Sequence, residues 1–427
     1  MITLLITLGL ILLALYGTPL FVIIASIALI GFHFAEIDSM AMIIELNRMA
    51  QQPVLLAIPL FTFAGYLLAE SKTPQRLVNF SRALFGWMPG SLAIITLVTC
   101  AIFTAFTGAS GVTIVALGGL LFPALMKDNY PKKFSLGILT VSGNLGLLFP
   151  PSLPIILYGL VAETSIDQLF VAGILPGLLM VVLLAVYSVF AVKKDIGTAP
   201  TAPFDKAELW LRTKEAGWEI PLPVIVLGGI YGGFFTATEA AAVTAFYVLV
   251  IEVFIYKDIS ISKDLTRVIK DSMVMVGGIL VILATALGLA NYFIDAEIPN
   301  RLFEIMGQYI STKTGFLIVL NIFLLVVGAM MDIFSAILVV VPLIIPIANQ
   351  FGVDPVHLGV IFLANLGIGY STPPVGLNLF IASLRFNEPV LKLYKATLPF
   401  LLILLITLAV ITYWPDLSLV LVNWFFN

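Results

Sequence analysis

Two stretches of this 427-residue chain interrupt apolar sequence with residues that can hold an ion. The first runs from Asn144 to Pro154, with Pro150, Pro151 and Pro154 behind an Asn-Leu-Gly start. The second, Gly367 to Gly376, reads Gly-Ile-Gly-Tyr-Ser-Thr-Pro-Pro-Val-Gly. A proline inside a helix removes a backbone donor and frees the carbonyl four residues back. In a dry site a freed carbonyl is a ligand for a hard cation, and Ser or Thr hydroxyls complete the shell. Two short turns of small and polar residues offer partners. One holds Thr107, Gly108, Ser110, Gly111 and Thr113; the other holds Gly328, Asp332 and Ser335.

This pattern predicts two sodium sites with an organic anion between them. Site one is expected to use Gly108, Ser110, Asn144, Gly146 and Pro150. Site two is expected to use Gly328, Asp332, Gly367, Thr372 and Pro373. Thr107, Ser110, Asp332, Ser335 and Ser371 are the candidates for contact with the anion. Half-helix N-termini at such breaks turn positive dipole ends inward, which suits a carboxylate. The competing reading is that the prolines and glycines only kink helices for packing.

Asp332 carries two readings as well. An acid at membrane depth costs about 3 kcal/mol or more and marks a functional site by default. It is also well placed to cap the helix that follows it. Thr236-Ala237-Thr238-Glu239 has the spacing of a capping box and is read as structural. His33 and His357 lack metal-ligand partners in sequence, and the single cysteine, Cys100, sits in an apolar run. There is no Gly-x-x-x-x-Gly-Lys-Ser/Thr loop and no His-Glu-x-x-His motif, so neither ATP hydrolysis by that route nor zinc chemistry is expected. Asp332 has no second acid at comparable depth, which argues against an intramembrane aspartyl enzyme.

The elements that must position these residues follow from composition. Hydrophobic residues make up 61% of the chain and charged residues 11%, far from the balance of a soluble domain. Apolar runs are expected at 1–16, 19–33, 53–70, 90–108, 111–126, 134–161, 169–192, 221–235, 237–256, 270–292, 314–330, 332–349, 357–384 and 396–415, as in an all-α polytopic membrane protein. The first charge is Glu36, so the first run lacks a basic leader and reads as a retained helix, with its N-terminus in the periplasm. Lys193 to Glu219 reads as a linker. The net charge of −3 argues against nucleic-acid binding.

Basic residues orient the chain. Only Arg48, Arg301 and Lys313 of the 21 Lys and Arg residues fall outside when the rest are put in the cytoplasm. Both ends of 90–126 are then cytoplasmic and both ends of 314–349 periplasmic. Each pair is therefore expected to be a re-entrant hairpin, and 134–161 and 357–384 to be broken helices. Irregular backbone at that depth must be buried or line a cavity.

The two halves also resemble each other at an offset of roughly 220 residues, the pattern of inverted-repeat transporters. Pro150-Pro151 with Pro176 matches Pro373-Pro374 with Pro399, and Asn144-Leu145-Gly146 matches Asn365-Leu366-Gly367. Pro74-Gln75-Arg76-Leu77 matches Pro299-Asn300-Arg301-Leu302, each within a segment expected to lie along the membrane surface. The expected division is 1–215, including a cytoplasmic linker, and 216–427.

Gly228 to Val243, Thr107-Gly108-Ala109-Ser110-Gly111, Asn144 to Pro154 and Gly369-Tyr370-Ser371-Thr372-Pro373-Pro374 together resemble the large membrane subunit of TRAP (tripartite ATP-independent periplasmic) transporters. One departure is Ala237, where the family more often has proline. The resemblance implies an elevator-type secondary transporter, not an enzyme, in the bacterial inner membrane. It implies sodium as coupling ion, a small four-helix membrane subunit and a periplasmic substrate-binding protein that does much of the selection. Segments 1–33 and 221–256 would belong to its scaffold. The implied substrate is an organic acid, with sialic acid favoured on the look of Ser142 to Tyr158 and a C4-dicarboxylate next. A stand-alone sodium–dicarboxylate symporter is the alternative, and an assembly scaffold the reading from another class.

Overall fold

The computed structural model describes residues 9–426 apart from 11, 14, 15, 89, 197–202 and 311. Most of the run expected at 1–16, and the centre of the expected linker, lie outside these residues. No strand occurs among the described residues. Eight helices among them are long and apolar enough to cross a membrane, or nine if one bent pair counts as a single span.

The chain begins with α1 (Leu20–Phe34), α2 (Met40–Ala50) and α3 (Ala57–Glu70). A short polar helix, α4 (Thr73–Phe85), leads into a hairpin of α5 (Ser91–Thr107) and α6 (Ser110–Lys127). Next come α7 (Lys132–Ser142) and α8 (Leu153–Val161), one helix interrupted over 143–152, where Leu145–Leu148 form a 3-10 turn, with a bend of 47° between 132–148 and α8. After α9 (Ile166–Ala172), α10 (Ile174–Ile196), α11 (Lys206–Glu215), α12 (Pro221–Tyr231), α13 (Ala237–Val250) and α14 (Thr266–Asp295), the series recurs. It comprises a short helix α15 (Ile298–Gly307), a hairpin of α16 (Lys313–Met330) and α17 (Ile333–Gln350), and a helix α18 (Pro355–Gly369) broken before α19 (Leu377–Phe386). The chain closes with α20 (Val390–Tyr413) and α21 (Asp416–Phe426). The Pro150–Pro151 and Pro373–Pro374 bonds, at matching places in the two series, are both cis.

Two packing groups emerge. In one, α14 runs against α1, α2 and α3, and α13 lies along α3. The buried face of α13 is mostly small, with Ala237, Ala240, Ala241, Thr244 and Ala245, which lets the two backbones approach closely. In the other group the halves exchange partners: α6 packs on α19, and α17 packs on α8. Each hairpin thus leans its second arm on the far half of the other series' broken helix.

The capping box expected at Thr236 is formed. Thr236 Oγ1 accepts from the Glu239 N–H at 3.3 Å, and a Glu239 carboxylate oxygen accepts from the Thr236 N–H at 2.8 Å. Thr236→Ala is expected to cost about 1 kcal/mol, the usual value of an N-cap. Thermal unfolding in detergent reads this directly, and an unmoved midpoint would show the cap to be dispensable.

Three features depart from expectation. The linker Lys193–Glu219 contains α11, because Asp205 caps it through the Ala207 N–H and Arg212 pairs with Glu208 and Glu215 along its side. Local polar bonding there replaces the apolar period that the reading relied on. Helices α2 and α21 had no counterpart among the expected runs, α2 because Glu45 and Arg48 interrupt its apolar residues. Finally, the matched arginines differ. Arg301 is exposed, whereas Arg76 is nearly buried among Glu219, Glu252 at 3.1 Å and Asp258 at 2.6 Å, with its guanidinium 3.8 Å from the Tyr256 ring centre. The first short helix is therefore clamped to the ends of α12 and α13.

Candidate functional site

The two hairpin tips turn by different means. Gly108 ends α5 with φ +64°, a left-handed conformation that favours glycine. A side chain there would begin 2.7 Å from Leu153 Cβ, so the tip sits directly against the start of α8. Ala109 then leads into α6 without any side-chain cap. The second tip is capped: Asp332 Oδ1 accepts from the Phe334 and Ser335 N–H groups at 3.1 and 3.0 Å. Beside it, Gly376 N–H donates to Ala329 O at 2.8 Å, and the Tyr370 hydroxyl accepts from the Ile333 N–H. The second break is thereby wrapped around the second tip.

From the first tip to the second break runs a continuous chain of buried hydrogen bonds. Ser110 Oγ donates to Asn378 Oδ1 at 2.8 Å, and Asn378 Nδ2 donates to Asn144 Oδ1 at 2.7 Å. Asn144 Nδ2 in turn donates to Ser371 Oγ at 3.0 Å. One residue comes from the first tip, one from the first break, one from the second break and one from α19. None is more than 8% exposed. Asn378 was not among the sequence candidates. Its signal was weak, an amide two residues beyond the Gly367–Gly376 stretch.

The remaining candidates divide. Thr107 Oγ1 and Ser152 Oγ, at the first tip and first break, are buried oxygens without a hydrogen-bond partner. Ser152 is a second residue that the sequence reading passed over. Thr113 bonds Thr104 at 2.6 Å, and Thr104 also donates to Gly143 O at 3.0 Å, which ties the hairpin to the break. Gly146 lies under α5, where a side chain would meet Ala101 O at 2.3 Å. Pro150 borders an apolar recess with Ile174 and Pro223, on the α10 and α12 side. Gly367 faces Asn144 and Leu147, while Gly369 takes the place against Gly328, where a side chain would begin 2.6 Å from the Gly328 carbonyl carbon. Thr372 Oγ1 is committed to Ile368 O at 2.9 Å, just before Pro373.

A cavity of about 960 Å³ opens beside this chain. It is lined by both tips (Gly108 to Val112 and Asp332 to Phe334), by Tyr370, and by Tyr66 and Met275 from α3 and α14. Of the five anion candidates, Ser110 and Asp332 line it; Thr107, Ser335 and Ser371 do not. Its charged residues are Glu70, Asp332 and Arg385. Among the described residues no three His, Cys, Asp or Glu side chains gather to hold a metal ion, so any cation here would depend largely on neutral oxygens.

Comparison with known proteins gives one answer. Residues 6–417 match the family model of the tripartite ATP-independent periplasmic transporter, DctM component. The C4-dicarboxylate TRAP transporter large permease protein DctM of Pseudomonas aeruginosa is 38% identical over 384 residues, covering 89% of each chain. The ectoine TRAP transporter large permease protein TeaC of Halomonas elongata is 32% identical over 96% of each chain. The sialic acid TRAP transporter large permease protein SiaM of Vibrio cholerae is 32% identical over 86% of each. The fold is shared with the YdaH transporter of Alcanivorax borkumensis, at a TM-score of 0.64 and 14% identity over 89% of this chain and 88% of that one. With hairpins, broken helices and sequence in agreement, this chain belongs to the DctM family, the large permease components of TRAP transporters.

Proposed function

We propose that this chain imports an organic acid across the bacterial inner membrane by sodium symport, working with a small four-helix membrane subunit and a periplasmic binding protein. The observation that carries the reading is the chain Ser110–Asn378–Asn144–Ser371, which joins elements of both series beside a cavity that reaches the α3 and α14 group. Such an arrangement ties the hairpins and broken helices of both series into one unit, which is what an elevator needs. Arms of 17 and 18 residues could nearly span a bilayer on length alone. It is the contact of each tip with a break that favours re-entrant hairpins.

Charge supports sodium as the driver. The cavity's fixed charges are two acids and one base, and Glu70 is already paired with Arg267 at 2.6 Å. An organic anion beside Asp332 would place like charges together, which is unfavourable unless cations enter with it. Thr107 Oγ1 and Ser152 Oγ are unpartnered oxygens suited to the first of those cations. The uncapped start of α6 leaves N–H groups directed at the cavity, where a carboxylate would rest.

For the substrate, the dicarboxylate, isethionate, ectoine and sialic acid names of the relatives favour a small polar acid over a single choice. We place a C4-dicarboxylate first and sialic acid second, because the dicarboxylate relatives share 36 to 38% identity and the sialic acid relative 32%. Uptake of radiolabelled succinate and N-acetylneuraminate into proteoliposomes with both partner proteins tests this. Uptake that needs an inward sodium gradient and the binding protein is expected. Sodium-driven uptake without the binding protein would replace this reading with the stand-alone symporter, and uptake indifferent to sodium would sink the coupling.

A further inference from the structure

Among the described residues, Arg385 is the one basic residue lining the central cavity. It stands at the end of α19, and its guanidinium comes end-on against α6: a side chain added at Gly119 would begin 1.7 Å from its Nη2. The neighbouring Gly118 seats the Phe386 ring in the same way, at 2.9 Å. Two glycines thus cut a notch that holds the arginine back against the hairpin, at the cavity rim.

The acids nearby are already committed. Glu388, three residues on, is bound by Lys132 and by Lys392 at 2.9 Å, and these lysines hold its carboxyl below the usual range. Glu70, which also lines the cavity, is held by Arg267 at 2.6 Å. Among the described residues no hydrogen bond or ion pair engages the Arg385 guanidinium. A planar cation with five donors and no internal partner, fixed at the mouth of a cavity, matches a carboxylate in shape and charge. The basic residues around it put this mouth on the cytoplasmic side. Positive residues also occur there simply to set topology, and Arg385 is itself exposed; what sets it apart is that its guanidinium rests against Gly119 of α6 on the cavity wall with no acid beside it.

We propose that Arg385, seated in the Gly118–Gly119 notch, forms an exit subsite that receives a carboxylate of the substrate as it leaves for the cytoplasm. This rests on the transport reading above. It assigns the cytoplasmic step of the transport cycle to a residue set against Gly119, nine residues along α6 from Ser110, so its loss acts on release and reloading from inside rather than on delivery from outside.

The test is sodium-driven uptake and counterflow in proteoliposomes of the complete three-protein system, oriented by external binding protein. The probe is succinate or, if that is not carried, N-acetylneuraminate. In Arg385→Gln the lumenal half-saturation for counterflow is expected to rise about tenfold, the scale of one charge-assisted hydrogen bond at a partly wet site. The half-saturation for external binding protein is expected to stay unchanged. Arg385→Lys should recover part of the loss, and Gly119→Leu, which ejects the guanidinium while keeping its charge, should reproduce it. An unchanged lumenal half-saturation in active Arg385→Gln overturns the subsite. So does a loss explained by mixed insertion, read from labelling of a C-terminal cysteine tag, since the arginine would then serve topology alone. A wild-type system that carries neither acid overturns the transport reading itself, and this subsite with it.

Discussion

Asn378→Ala is expected to lower sodium-driven uptake about 100-fold or more in a chain that still inserts and assembles. The substitution removes two buried bonds at once, leaving Ser110 Oγ without its acceptor and Asn144 Oδ1 without its donor. Each orphaned buried group costs about 1–3 kcal/mol. Here the loss falls on the join between the first tip and both breaks, so it deforms the place where ion and substrate must meet. Asn378→Asp separates the two bonds, since it can still accept from Ser110 but cannot donate to Asn144. It should therefore stay impaired.

A control lies in the same molecule. Asn365 is the sequence match of Asn144, yet its amide bonds Asn321 Oδ1 at 2.7 Å and Ile361 O at 2.8 Å, away from the tips. Asn365→Ala should lower the unfolding temperature while uptake per folded transporter stays within a few-fold of wild type. Uptake measured alongside thermal unfolding separates the two effects. If Asn378→Ala were as active as Asn365→Ala, the buried chain would be packing and no more.

That contrast shows what the sequence could and could not reveal. The breaks and tips were legible because prolines, glycines and polar residues inside apolar runs break a strong periodic signal. Hairpins at 90–126 and 314–349 correspond to α5–α6 and α16–α17, with two-residue connections. The repeat was legible for the same reason, since Pro-Pro pairs survive in both halves. Side-chain direction was not. Asn144 and Asn365 share a motif, but one lies in an unwound segment and turns toward the other half, while the other sits inside α18 and faces α16. Gly367 and Gly369 trade places relative to the expected site because a helix of 3.6 residues per turn sends positions two apart to different faces. Arg76 and Arg301 match in sequence, yet only the first meets three acids, brought from just before α12 and just after α13 by tertiary packing. Ser152 and Asn378 carried no periodic mark, and only burial and bonding distinguish them.

Asp332 is where the structural and functional readings meet in one side chain, and substitution can pull them apart. Its Oδ1 caps α17, while the same residue lines the cavity beside Tyr370. Asparagine is as good an N-cap as aspartate, so Asp332→Asn should leave stability within about 0.5 kcal/mol of wild type. Alanine should lose the cap as well, at about 1 kcal/mol. Transport should follow charge instead of cap. If the carboxylate balances a bound cation, its removal should cost about 2 kcal/mol of cation affinity, roughly a 30-fold rise in the sodium concentration for half-maximal uptake. Asp332→Asn and Asp332→Ala should then be similarly impaired at low sodium, though only the second unfolds earlier. High sodium should restore Asp332→Asn in part, because the neutral oxygens of the second tip and break remain. The opposite ranking, with Asp332→Asn fully active at every sodium concentration and Asp332→Ala weakened only through stability, would leave the aspartate as a cap. The charge balance would then have to come from the substrate's other contacts, with Arg385 and the uncapped start of α6 as the groups left on the cavity wall.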